Sequence, residues 1–185
     1  MRFSLTFRGP LPANGNPLDK QLIRRQFHPQ LKQLWTVPPL DKHVTTLLSE
    51  EQTLRPCIIS RLGGFRFAPL VSAKLQMIAK LQVFFLRPEA PGNLITQGGD
   101  IDNRLKTLFD ALRMPRLVAE LPANDTPREG EDPFFCLLED DALITEIDVK
   151  TDMLLDAAAK KSSAELLIRI ETGAVAMSWS NMDLT

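Results

Sequence analysis

Residues 102–113 constrain the chain most. Leu105, Leu108, Phe109 and Leu112 recur there at i, i+3, i+4 and i+7. That spacing lines one side of an α-helix and scatters over both faces of a strand, so a helix with one apolar stripe is predicted. Strand-like runs flank it. Residues 75–86 end in Val83-Phe84-Phe85-Leu86, a composition that favours a buried sheet, and residues 143–149 and 164–171 read as further strands. Near the start, residues 2–8 alternate as a first strand and run into a loop dense in turn residues, 9–17. Asp19 is placed to cap a helix reaching about residue 35, which Pro29 should split or kink and Pro38-Pro39 should stop. Asp41 can cap a short helix to about residue 51, and residues 57–71 suit two strands about Gly63-Gly64.

The order β-α-(α)-β-β-β-α-β-β predicts an α/β (α+β) fold, a mixed β-sheet with helices packed on it. At 185 residues one domain is expected, over residues 1–172. Within it, residues 114–136 form an insertion loop, polar from 120 to 132 and read as exposed and mobile; residues 173–185 read as a frayed tail. No apolar run approaches the ~18 residues that span a bilayer, and no signal peptide is evident, which predicts a cytoplasmic protein with no membrane partner. Cys57 and Cys136 lack metal or redox spacing and read as buried free thiols. His28 and His43 have no partner motif and read as surface or helix histidines.

The net charge is −1, but it is unevenly spread. Residues 1–90 carry 13 Lys/Arg against 5 Asp/Glu, a balance of +8; residues 91–185 carry 9 against 18, a balance of −9. Either a basic face lies beside an acidic pocket, or folding mixes the two halves over the surface. The first reading expects Arg8, Lys20, Arg24, Arg25, Lys32, Arg61 and Arg66 to border the site, with Arg24 and Arg25 as exposed helix charges.

The chemistry concentrates where the loop enters the predicted helix: Gly98-Gly99-Asp100-Ile101-Asp102-Asn103. On an extended entrance, alternate residues point the same way, so Asp100 and Asp102 can converge on one ion. Lys106 follows one helical turn after Asp102. A second acidic run, Glu139-Asp140-Asp141, feeds a strand, where adjacent side chains point to opposite faces, so one of Asp140 and Asp141 should face the first pair. Clustered carboxylates repel one another unless a cation compensates, and Mg²⁺ or Mn²⁺ would do so with hard oxygen ligands. Taken singly, each motif has a plainer reading. Asp100 or Asp102 can cap the helix, Asp102, Lys106 and Asp110 can form an exposed charge ladder, and Asp140-Asp141 can be a turn.

Together, Asp-Ile-Asp-Asn-x-x-Lys-x-x-x-Asp-Ala-Leu over 100–112 and Leu-Glu-Asp-Asp-Ala-x-Ile over 138–144 resemble the RusA-like Holliday junction resolvases, the crossover junction endodeoxyribonucleases. The first strand followed by Pro12-Ala13-Asn14 is similar to that family's opening. The resemblance implies metal ligands at Asp100, Asp102 and Asp141, a catalytic lysine at Lys106, and supporting roles for Asn103, Asp110 and Asp140. It implies a Mg²⁺-dependent (or Mn²⁺-dependent) endonuclease acting as a homodimer on four-way DNA junctions in recombination and repair. The 114–136 segment and the balanced net charge depart from the family pattern. They keep open a catalytically altered or inactive relative that binds nucleic acid or protein. A sugar-nucleotide transferase using the Asp-x-Asp is a third reading, and it lacks a nucleotide-binding βαβ start.

Overall fold

The computed structural model describes residues 1–50, 56–88, 101–156, 158, 160 and 162–184. The alternation near the start becomes strand β1 (Arg2–Pro10), burying Leu5 and Phe7 while Arg2, Ser4 and Thr6 face solvent. The Gly63-Gly64 turn joins β2 (Ser60–Leu62) to β3 (Phe65–Val71). Both glycines have left-handed φ, 57° and 84°, as a two-residue hairpin turn requires. Strand β4 (Met77–Arg87) buries every second residue from Met77 to Phe85. Strands β5 (Phe134–Leu138), β6 (Ile144–Met153) and β7 (Ser163–Ala174) follow.

Two sheets result. The larger has the order β1-β7-β4-β6, antiparallel except for the parallel β4–β6 pair; the smaller has the order β2-β3-β5, with β3 and β5 parallel. Helix α1 (Pro17–Leu34) packs against β1 of one sheet and β5 of the other, and against the helix Ile101–Leu112, here α3. Between them in the chain lies the short α2 (Val44–Leu47). The architecture is a mixed α+β single domain, as its element order predicts, but the strands divide between two sheets rather than one, because residues 134–138 form a further strand beside β3. Its main core joins Ile23, Phe27 and Leu31 of α1 to Val83 and Phe85 of β4 and Leu108 and Leu112 of α3. Each such side chain contributes about 1.5–3 kcal/mol by leaving water. A second, aromatic cluster of Phe65, Phe67 and Phe134 is covered by Leu121. No helix among the described residues is long and apolar enough to cross a membrane.

Several expectations need correction. Helix α1 is capped by Asn16, with Asp19 reciprocating at the third helical position, and it continues through Pro29 to Leu34. The turn before α2 begins at Leu40 as a 3₁₀ segment without a side-chain cap, and α2 ends at Leu47. Residues 114–136 are tied down. Arg25 pairs with Asp125 (3.0 Å) and Glu131 (2.9 Å), Arg113 with Glu120 (2.8 Å), and the last five residue positions to 138 form β5. The C-terminal residues are anchored too. Buried Asn181 donates to the Leu75 and Ala176 carbonyls, and Leu184 is fully buried in the main core.

Candidate functional site

Residues 89–100 lie outside the described residues, and Asp100 with them. Helix α3 begins at Ile101 and carries Asp102 exposed in its first turn. Lys106 is exposed one turn further on. Neither the Asp102 carboxylate nor the Lys106 ammonium has a hydrogen-bond or ion-pair partner among the described residues.

The neighbouring side of α3 faces the loop that leads into α1. Gly15 N–H donates to Thr107 Oγ1 (2.9 Å), Thr107 donates to the Asn103 carbonyl (3.1 Å), and Arg104 donates to the Leu11 carbonyl. A Cβ on Gly15 would stand 2.6 Å from Thr107 Cγ2, so only glycine permits this approach. Where loop and helix meet, a cleft of about 150 Å³ is lined by Asn14, Gly15, Lys20, Asn103, Lys106, Thr107 and Asp110. Asp110 is buried between two cations, Lys20 Nζ at 2.7 Å and Arg113 at 2.8 Å. Burial opposes its charge, but these two partners outweigh burial and hold the carboxyl below its ordinary range.

The Asp140-Asp141 pair sits beyond β5, on a turn rather than an extended strand. Asp140 Oδ1 accepts from Ala142 N–H (2.9 Å) and caps a 3₁₀ turn over Asp141–Leu143, which packs against α3 and β4. Because the chain turns there, the expected splitting of the two acids to opposite faces does not occur. One guanidinium meets both: Arg116 donates to the two Asp140 oxygens at 2.7 and 2.6 Å and to Asp141 Oδ1 at 2.5 Å. Its hydrogen bonds hold the Asp140 carboxyl at about 2. Nothing in the sequence marks Arg116, which comes from the 114–136 segment. Among the described residues no three His, Cys, Asp or Glu side chains are grouped to hold a metal ion. Asp102 lies on α3 and Asp141 on a turn packed against that helix.

The expected basic border is largely absent. Arg24 is buried; it donates to the carbonyls of Asp110 (2.7 Å) and Arg113 (3.0 Å) and to Gln21 (2.5 Å), closing the C-terminal end of α3. Arg25, Arg66 and Arg8 are spent on Glu131, Asp132 and Glu165, Arg61 on Glu50, and Lys32 on the Gly130 carbonyl. Only Lys20 of the seven lines the cleft. His28 is buried: its Nδ1 accepts from Phe135 N–H (2.9 Å), which leaves Nε2–H to donate to the Gly130 carbonyl (3.1 Å). His43 lies 3.6 Å from Asp183. Cys136 is buried and Cys57 half-buried, both as free thiols. No family model, curated protein or solved structure matches the chain.

Proposed function

We propose that this protein is a metal-dependent endonuclease that hydrolyses phosphodiester bonds in branched DNA, as the resemblance to RusA-like enzymes implies. The observation that carries the reading is the Lys106 ammonium, without a partner among the described residues, one helical turn from an Asp102 carboxylate equally without one among them and on the lining of a cleft that two asparagine amides share. An exposed charge ladder would have paired the two; a site for an anionic substrate leaves the cation available.

The donor chemistry fits a hard divalent cation. Asp102 offers free carboxylate oxygens, Asp141 comes from a turn packed on the same helix, and Asp100 adds a third carboxylate two residues before Asp102 in sequence. These three would hold Mg²⁺ or Mn²⁺, which supplies Lewis-acid polarisation of the scissile phosphoryl group. Lys106 meets the charge that grows on the phosphate oxygens in the transition state. Asn103 orients the phosphate, and Asp110 keeps Lys20 in place. A two-fold homodimer would present two such sites to a four-way junction.

The test is incubation with a synthetic four-way junction and Mg²⁺ or Mn²⁺, beside linear duplex and a chelator control. Metal-dependent cutting of the junction, lost in Lys106→Ala with metal affinity retained, is the expected result. No cutting of any substrate overturns the reading. A second reading, a non-cleaving module that binds nucleic acid or protein, is favoured by Arg116, which occupies Asp140 and Asp141 as a metal would. Junction binding without cleavage is its signature.

A further inference from the structure

We propose that the cleft between the 11–16 loop and α3 is a subsite for one phosphodiester anion, held by Lys106, Lys20, Asn14 and Asn103. The inference rests on the endonuclease reading only for the source of the anion, a DNA backbone; the site itself is argued from the cleft. At about 150 Å³ it holds the volume of roughly five waters, well below the roughly 300–1,000 Å³ of pockets that enclose whole nucleotide-sized ligands. A tetrahedral anion is the right size.

Charge selects the sign. Asp110 is the one carboxylate on the cleft among the described residues, and its oxygens are taken by Lys20 and Arg113. Among the described lining residues Lys20 and Lys106 outweigh Asp110 by one positive charge, which repels a cation and attracts an anion. Donor supply agrees. An ammonium has three protons, and Lys20 spends one on Asp110. All three of Lys106 are uncommitted, and the side-chain amides of Asn14 and Asn103 have no hydrogen-bond partner among the described residues. Four side chains with unused N–H groups thus line one small concavity, which is the arrangement a phosphate needs and a purely structural contact would have consumed.

The site is also rigid. Thr107 and Arg104 clasp the loop to the helix, so Asn14 is presented without an ordering cost at the moment of binding. Asn14 has φ 55°, a conformation glycine adopts without strain, so Asn14→Gly removes the amide and leaves the loop intact.

The experiment uses the full chain with a chelator present, so that metal and cleavage play no part. Amide resonances are followed by NMR during titration with dimethyl phosphate, with the dinucleotide dTpdT, and with inorganic phosphate. Saturable shifts at Gly15, Asn103, Lys106 and Thr107 with both diesters are expected. Asn14→Gly and Lys106→Met should each weaken binding by about tenfold or more, the size of a lost charge-assisted hydrogen bond. Lys20→Met should do the same, and a thermal melt of each variant reports whether the fold survives. Absence of shifts at these amides, or equal affinity in a folded Asn14→Gly protein, overturns the subsite. Shifts with inorganic phosphate alone overturn the diester assignment. Phosphodiester binding in a protein that cuts no junction leaves the subsite standing and removes the endonuclease reading.

Discussion

Two arginines bear opposite lessons at the scale of single residues. Arg24 is inside because α3 ends beside it: helix C-termini leave carbonyls unpaired, and a guanidinium can fill two at once. Arg24→Ala should therefore cost about 3 kcal/mol, seen as a lower urea midpoint with an unchanged slope; a loss under about 1 kcal/mol would show that water replaces the guanidinium. Reversing Arg24 and Arg25 together, harmless if both were exposed, should unfold the protein. The sequence carries a signal for this, since Gln21, Arg24 and His28 form a polar stripe at helical spacing beside Ile23, Phe27 and Leu31. Arg116 carries none. It is an isolated basic residue, and its role appears only when the chain brings it to Asp140 and Asp141. If these carboxylates take up a metal, Arg116 competes with it. Arg116→Ala should raise Mn²⁺ affinity several-fold by calorimetry, while an unchanged or weakened affinity would separate Asp141 from the metal.

At the scale of elements, legibility tracked locality. Helix α3 and strand β4 can be read from the sequence because their periodicity is set by neighbours three, four or two residues away. The 114–136 segment cannot, because its partners lie about a hundred residues back: Arg25 with Asp125, His28 with Gly130. For the same reason the candidate site is legible as motifs on α3 and Lys20 as a bordering cation, whereas the pairing of Lys20 with Asp110, ninety residues on, is not. Pro29 misleads in a different way. A proline inside a helix removes one hydrogen bond and crowds a carbonyl four residues back, yet α1 continues because Phe27 and Leu31 on either side are fully buried. Tertiary burial overrides local propensity. Pro29 is exposed, so Pro29→Ala should stabilise the protein by about 1–3 kcal/mol in denaturant melts. A destabilised variant would mean that the ring's restriction of the unfolded chain outweighs its cost in the helix.

For the whole molecule, the charge asymmetry is a folding complementarity. The basic first half pairs with the acidic second half: Arg2 with Glu171, Arg8 with Glu165, Lys20 with Asp110, Arg25 with Glu131, Arg66 with Asp132 and Lys80 with Glu146. These pairs offset part of the excess of each half against the other. Acid should therefore weaken the fold in two stages. Burial lowers the His28 pKa from its ordinary 6.5, so the unfolded chain takes up a proton first and stability falls as pH drops below that value. The carboxyls of Asp110, Glu131 and Asp140 are depressed in the folded state. Their contribution is present above the ordinary carboxylate range and is lost as pH falls through the folded values. A melting temperature that declines from pH 7 to 5 in the parent protein but is flat in His28→Gln would establish the first stage; identical profiles would assign it elsewhere.

The sheet also sets an order in time. Strand β1 has one strand partner among the described residues, β7, and about 150 residues separate the end of one from the start of the other. At ribosomal speeds of about 5–20 residues per second, the first strand waits roughly 8–30 seconds for its mate to be made. During that wait β1 can lean on α1, where Phe27 meets Phe7, but its strand edge facing β7 stays open, and the charges of Arg2 and Arg8 discourage another nascent chain from pairing there first.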